Sequence, residues 1–571
     1  MTVARTWAVA LTGLDGEMVD VEADLSQQLP DFKIIGLADR ALGEAVQRVH
    51  NACANSDLPL PRRRLTVNLS PASLPKQGSG FDVAIAVAAL ATEVPMDAAS
   101  VASTVHIGEL SLDGRLRPVP GVLPAVAAAV RAGFTRIIVP WANRREAALV
   151  SGADVLGAVG LIDVARRHGA DLEARELAPV QAPTLEMLEP PQLELADVIG
   201  QRDAVEALVV AAAGGHHLLM SGPPGAGKTM LARRLPGILP TLDDEAALSA
   251  ASIRSLSGEP IVGLSRIPPF EAPHHSASAA ALVGGGSRVI RPGAIARASE
   301  GVLFLDEAGE FASHALDALR QPLETGTIVI HRAGVSAAFP AAFQLVLATN
   351  PCPCGNYGVP GGACVCPAQA IRRYHARLSG PLIDRIDIEL SLTRVSTTHA
   401  GALGVGTSTV QARARVVAAR ELARERLRGT GWHLNAQVSG TWLRQGPRAL
   451  APVVRRPLDA ALHRGSLTLR GYDRVLRVKW MSLGRNYPNG LIAPSLMTVM
   501  SQGTAANDSI TRKRKPSPRA YLRPARPPCC RCISRAEPMV NSVITTARTA
   551  SVTPTMTMVA RKLEFSPVGS R

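Results

Sequence analysis

Within eight residues, Gly222-Pro223-Pro224-Gly225-Ala226-Gly227-Lys228-Thr229 sets three glycines, one ammonium and one hydroxyl. Glycines let successive backbone N–H groups turn inward around an anion. A lysine at the seventh position reaches terminal phosphates, and the following threonine hydroxyl can ligate Mg²⁺. The apolar run Leu218–Met220 precedes this loop and the helix-compatible Met230–Leu235 follows it, the strand–loop–helix setting that a phosphate loop needs. Lysine is otherwise scarce. Before residue 479 only Lys33, Lys76 and Lys228 occur, and one of the three stands where triphosphate chemistry requires it.

Some eighty residues later Val302–Leu305 runs into Asp306 and Glu307. Four apolar residues read as a buried parallel strand, and carboxylates at its C-terminal end fall where open α/β sheets bind ligands. There Asp306 would hold the Mg²⁺ shell and Glu307 would orient and deprotonate a water. A further apolar strand, Leu345–Thr349, ends in Asn350, whose amide either touches the γ-phosphate and the water or simply caps the strand. Arg385, in Leu382-Ile-Asp384-Arg385-Ile-Asp387, follows a predicted helix. It either reaches a neighbouring subunit's γ-phosphate or pairs on the surface with Asp384 or Asp387. Cys352, Cys354, Cys364 and Cys366 form C-x-C-x9-C-x-C, which suits either a tetrahedral Zn²⁺ site or four reduced thiols. His274 and His275 read as polar loop residues that could also ligate.

The rest of the chain must position these groups. It has 571 residues, 46% of them hydrophobic and 19% charged, which is globular and sufficient for several domains. The longest apolar runs, Val83–Ala91 and Val122–Val130, are too short to span a bilayer. The start, with Arg5 and then Asp15 and Glu17, makes a poor signal peptide, so a cytoplasmic location is expected. Cysteines confined to Cys53 and two tight groups, the four at 352–366 and Cys529, Cys530 and Cys532, do not make a secreted disulfide framework. The net charge of +15 is mostly a property of one end, since residues 479–571 hold 15 Lys/Arg against 3 Asp/Glu.

The expected class is α/β. Residues 1–185 form a first domain, with Val19, Val21, Ala23 and Leu25 alternating with acids as in a half-buried strand. Ala41–Ala52 and Phe81–Ala91 read as helices, Arg64–Leu69 and Ile137–Val139 as strands, and Pro179–Pro191 as a linker. Residues 192–395 form the nucleotide core and 396–478 a helical lid beginning at Thr407–Leu427. Residues 479–571, with the basic run Arg512–Lys515 and a Pro/Arg/Cys string, read as a disordered basic tail.

Several longer stretches are more specific than any nucleotide motif: Val67-Asn-Leu-Ser-Pro71, Pro75-Lys-Gln-Gly-Ser-Gly-Phe-Asp82, Gly108-Glu-Leu-Ser-Leu-Asp-Gly114, Ala272-Pro-His-His-Ser276, Asn350-Pro-Cys-Pro-Cys-Gly355 and Ser379-Gly-Pro-Leu-Ile-Asp-Arg-Ile-Asp387. With these, residues 1–478 resemble the ComM/YifB family of magnesium-chelatase-like AAA+ ATPases. The resemblance implies ATP and Mg²⁺ as cofactors, Walker A at 222–229 and Walker B at Asp306 and Glu307. It further implies sensor one at Asn350, an arginine finger at Arg385, a sensor-two Arg470 among the nucleotide-binding residues, and a homo-hexameric ring. It also implies a Lon-protease type of fold for the first domain. Ser79 lies near where that fold carries its nucleophile, but no lysine occurs between Lys76 and Lys228 to activate it, so protease activity is not expected.

For the substrate, Thr327–Arg332 and Val335–Phe339 read as a hairpin whose His331 and Arg332 would contact DNA phosphate. An insertion at 268–292, with a flexible Gly284-Gly-Gly286 loop and Arg288 and Arg291, is a second candidate. The expected function is an ATP-driven ring motor on single-stranded or branched DNA, a helicase or branch-migration translocase in recombination or DNA uptake. The alternatives are a chelatase-type remodeller of a protein partner for metal insertion, and a nucleotide-binding protein with impaired turnover. The last follows from Lys479–Gly490, where Gly and Pro break the helical pattern that the family's lid continues, as a divergent or frame-shifted terminus would.

Overall fold

In the computed structural model, residues 3–36, 43–181, 193–286, 290–332, 335–359, 361–394, 406–447 and 449–481 are described. The chain divides into two units, Met1–Lys513 and Arg514–Arg571, and all described residues belong to the first. Most of the expected linker, the expected tail from residue 482 onward, Arg288 and the hairpin tip Ala333-Gly334 lie outside them.

Alternating small apolar side chains build the first sheet. β1 (Ala4–Thr12) and β2 (Asp15–Ser26) pair antiparallel, with Val19, Val21 and Ala23 fully buried. Asp20 departs from the expected solvent face: it is buried because the Arg5 guanidinium grips its carboxylate. β3 (Asp31–Ile35), β4 (Arg64–Ser70) and β5 (Val105–His106) join this pair, whereas β6 (Glu109–Leu110) and β7 (Leu116–Arg117) form a separate small hairpin. With β8 (Arg136–Pro140) and β9 (Asp154–Ala158) the seven-stranded order is β3-β4-β2-β1-β5-β8-β9. The helix Asp82–Leu90 lies against β1 and β2 with all nine residues buried, which explains its run of Val, Ile, Leu and Ala. Its first residue, Asp82, is compensated by two hydrogen bonds from Arg48, at 2.7 and 2.9 Å, and one from the Leu110 amide. Burying that carboxylate without them would cost several kcal/mol.

The second sheet is parallel. β10 (Leu218–Ser221) and β11 (Phe270–Glu271) are followed by a short antiparallel pair, β12 (Gly284–Gly285) with β13 (Arg291–Pro292). Gly284 and Gly285 were expected in a flexible loop, but the structure pairs them instead. Gly284 has φ +109°, and a Cβ there would stand 2.6 Å from the Arg291 carbonyl oxygen, so glycine serves a close backbone approach rather than freedom. β14 (Val302–Leu305) precedes a hairpin of β15 (Thr327–Arg332) and β16 (Val335–Pro340), and β17 (Gln344–Thr349) and β18 (Ile388–Ser391) complete the set. The order is β11-β14-β17-β10-β18. β14 and β17 are buried throughout, as a parallel sheet covered on both faces demands.

The helix Arg202–Gly214 covers this sheet and itself packs against the long helix Thr409–Leu427. A capping box between Ser408 and Gln411 starts the long helix, and a bidentate Arg415–Glu206 pair at 2.9 and 2.7 Å fixes its register. Helices Gly440–Gln445, Pro452–His463 and Leu469–Met481 follow around Leu427, Leu443, Tyr472 and Leu476. Among the described residues no helix is long and apolar enough to cross a membrane.

Candidate active site

Strand register brings the chemical residues to one edge. Ser221 pairs with Thr349 and Leu305 with Leu347, all in parallel strands, so Gly222, Asp306 and Asn350 emerge side by side at the C-terminal ends of β10, β14 and β17. The loop from Gly222 to Gly227 turns through positive φ at Gly225 (+78°) and Gly227 (+81°), conformations that a Cβ penalises. Helix Lys228–Ala232 starts directly after it.

Lys228 is 8% exposed, and its Nζ donates to the Gly222 oxygen (2.6 Å), the Pro223 oxygen (3.1 Å) and Asn350 Oδ1 (2.9 Å). All three acceptors are neutral. Burial lowers its pKa, while Asp306 and Glu307 pull it back up. A buried ammonium held only by neutral oxygens in a glycine loop fits a terminal phosphate. Thr229 Oγ1 donates to Asp306 Oδ2 at 2.6 Å, so a hydroxyl and a carboxylate, both hard oxygen donors, stand together as Mg²⁺ coordination requires. The donor set therefore fits a Mg²⁺–triphosphate.

Glu307 sits at φ +52°, ψ +44°, a left-handed conformation costing a non-glycine residue about 1–2 kcal/mol. Its carboxylate, about half exposed, meets His275 Nδ1 at 3.1 Å. His275 follows β11, which pairs with β14, so the sheet itself brings the two together. From the sequence His274 and His275 read as polar loop residues that could also ligate; their place in Ala272-Pro-His-His-Ser276 is the signal for the contact with Glu307. His274 turns instead to Ser276 at 2.8 Å. The Asn350 backbone N–H donates to the Tyr374 hydroxyl at 3.4 Å, and its side-chain oxygen accepts from Lys228.

Arg385 stands at the other end of the sheet. It precedes β18, whose Ile388 pairs with Leu218 at the start of β10, whereas the phosphate loop follows the end of β10. It bonds the Pro381 carbonyl and Glu324, and neither Asp384 nor Asp387 is its partner as one reading allowed. Burial lowers its pKa, and neighbouring Arg320 and Arg470 lower it further. Arg470 was expected among the nucleotide-binding residues. Instead its guanidinium, mostly exposed, lies 2.5 Å from Asp384 and so beside Arg385, not at this chain's own phosphate loop. The cause is the docking of helix Leu469–Met481, whose Arg474 donates to the Ile383 and Ile386 carbonyls at 3.2 and 2.7 Å.

Residues 194–400 match the magnesium chelatase subunit ChlI family, 21–143 match a further ChlI subunit family and 406–481 match the ChlI C-terminal family. The chain is 47% identical to an uncharacterized protein of Mycobacterium tuberculosis over 489 residues, 84% of this chain and 94% of that one. It is 40% identical to competence protein ComM of Haemophilus influenzae, covering 84% and 93% of the two chains. It is 39% identical to YifB of Escherichia coli, covering 84% and 92%. The chain belongs to the ComM/YifB family of magnesium-chelatase-like proteins.

In this ComM/YifB chain the hairpin β15–β16 is rooted by Ile328, Ile330, Ala337 and Phe339 in the core, while His331 is exposed near its end. The Arg332 side chain lies outside the description. Arg291, in the other insertion, is exposed on β13. In the first domain the Ser79 hydroxyl donates to Glu109, and the buried Lys76 ammonium donates to the Pro71 carbonyl. Each polar end is thus engaged with a different partner. The Sγ atoms of Cys352, Cys354, Cys364 and Cys366 all lie within 4.8 Å of one another.

Proposed function

We propose that this protein is an ATP-hydrolysing AAA+ ring motor that acts on DNA. The observation that carries the ATPase reading is the convergence of Lys228, Thr229, Asp306 and Asn350 at one sheet edge. Bound Mg²⁺–ATP supplies the phosphoanhydride to be cleaved and the divalent charge that offsets it. The chain's own residues do the rest. Loop amides and Lys228 hold the phosphate oxygens, Thr229 and Asp306 hold the coordination shell, and Asn350 orients the terminal group. Glu307, released from His275, accepts the proton of the attacking water.

Arg385 serves the next subunit's site. Its position beyond the N-terminal ends of the strands supports this, because β10 alone spans about 13 Å. Arg470 beside it belongs to the same surface, so we assign both guanidiniums to the neighbour's phosphates, in a homo-hexameric ring. Like charges gathered against Glu324 and Asp384 suit a surface awaiting an anion.

The DNA reading rests on the relative named a competence protein and on the core-rooted hairpin bearing His331 and Arg332, which a ring would repeat around its channel. We read the motor as a helicase or branch-migration translocase. Single-stranded or branched DNA should stimulate phosphate release severalfold, and branched DNA should be resolved only with hydrolysable ATP. A second reading, a chelatase-type remodeller of a protein partner, is favoured by the family matches over all three segments. ATPase activity indifferent to every DNA form would select it.

A further inference from the structure

The loop that follows Asn350 carries four thiols for which nucleotide chemistry has no use. Sγ of Cys352 lies 3.3 Å from that of Cys354 and 3.7 Å from that of Cys364, and Cys354 to Cys364 is also 3.7 Å. A disulfide would bring two of them to about 2.05 Å, and all four are free. Tetrahedral zinc with bonds of about 2.3 Å to thiolates needs sulfur–sulfur edges of about 3.8 Å. Two of these edges already have that length.

Two of the four sulfurs accept backbone N–H donors. The Tyr357 amide donates to Cys352 Sγ at 3.3 Å, and the Asn356 amide reaches Cys354. Second-shell N–H donors of this kind orient metal-bound sulfur. Four sulfurs without a carboxylate select a soft or borderline cation and reject Mg²⁺. The loop also touches the nucleotide site directly. Gly355 (φ +77°) lies so close to the phosphate loop that a Cβ there would stand 2.5 Å from Cδ of Pro224.

We propose that Cys352, Cys354, Cys364 and Cys366 bind one structural Zn²⁺, which folds their loop onto Pro224 and holds Asn350 beside Lys228. The second half of this statement rests on the nucleotide-site reading; the metal site does not. The test is metal analysis of the reduced full-length protein after gel filtration. One zinc per chain is expected, with at least a tenfold loss in Cys364→Ser/Cys366→Ser and full retention in Cys53→Ser and in Cys529→Ser/Cys530→Ser/Cys532→Ser. In case the first variant fails to fold, a mercurial titration of the unaltered protein should release one zinc as four thiols react. Retention of zinc by the folded double variant, iron in place of zinc, or release uncoupled from thiol modification would each overturn the site. Zinc removal should also weaken binding of a fluorescent ATP analogue about tenfold. Unchanged affinity after complete removal would overturn the link to the phosphate loop while leaving the metal count to stand.

Discussion

Arg385→Ala and Glu307→Gln disable different halves of one site if the finger acts across an interface. In each variant alone every site is defective, and loss of an arginine finger costs about 10³–10⁵ in turnover. When the two are mixed and reassembled, an Arg385→Ala subunit still offers an intact Glu307. A neighbouring Glu307→Gln subunit still offers an intact Arg385. In a closed ring of head-to-tail contacts with random exchange, about one interface in four then has both groups. Two nearly dead preparations should therefore recover roughly a quarter of the unaltered rate per chain, within a factor of two for coupling between sites. The structural basis is the sheet: Arg385 lies before β18 and the phosphate loop after β10, at opposite ends of paired strands. An arginine tied to Glu324 there cannot reach its own γ-phosphate position. Steady-state phosphate release on premixed subunits, with light scattering to establish equal assembly, reads the result. A mixture no faster than the mean of its parents, in rings of unaltered size, would refute action in trans.

Other outcomes follow from the same contacts. Lys228→Ala removes a charge-assisted partner worth about 1.5–3 kcal/mol, so affinity for a fluorescent ATP analogue should fall roughly 10- to 150-fold; unchanged affinity would displace Lys228 from the phosphates. His275→Ala releases Glu307 and should raise DNA-independent ATP turnover about two- to tenfold, the worth of one ordinary hydrogen bond, whereas a fall would make His275 an aid to the base. In the first domain His106 Nε2 and His168 Nε2 meet at 2.9 Å, with Thr6 and Ser100 on their outer nitrogens. Burial holds His106 well below its ordinary 6.5 and lowers His168 to about 4. Above pH 6.5 both folded and unfolded chains are neutral there and nothing is lost. Between 6.5 and about 4 the unfolded chain takes up protons that the folded one refuses. Stability to urea should drop by about 1.4 kcal/mol per pH unit for each such histidine, and His168→Gln should flatten that slope. An identical pH profile in the variant would exclude the pair as its source.

The meeting of Gly222–Thr229 with Asp306 and Asn350 was legible because each follows a short apolar strand of one parallel sheet. The hairpin was legible too, since Thr327-Ile-Val-Ile330 and Val335-Ser-Ala-Ala-Phe339 flank the turn pair Ala333-Gly334. What stayed hidden depends on partners distant in sequence. His275 meets Glu307 only because β11 and β14 pair, and Arg470 meets Asp384 only because its helix docks on the segment before β18. Burial of Asp20 likewise needs Arg5 from the adjacent strand, which no periodicity within β2 reveals. Gly284 misled in a more general way: a glycine read as freedom was instead a requirement of close packing.

The segment before the linker meets the segment after it at several close contacts. Gly13, at the β1–β2 turn with φ +71°, lies so near β16 that a Cβ would stand 2.2 Å from the Ala338 carbonyl oxygen. A second contact runs through helix Asp244–Leu256: the Gly121 amide donates to the Ser255 carbonyl at 3.1 Å, and the Ser255 hydroxyl donates to the buried Glu146. Ala251 and Ile261 share an apolar cluster with Val122, Val126 and Ile137 from the first domain. The hairpin β15–β16 is thus held from both sides, by Ile328 and Phe339 in its own domain's core and by the Gly13 turn outside it. Packed interiors transmit displacement because they have no slack to absorb it. Backing of this kind stiffens the hairpin and asks nothing of Ser79.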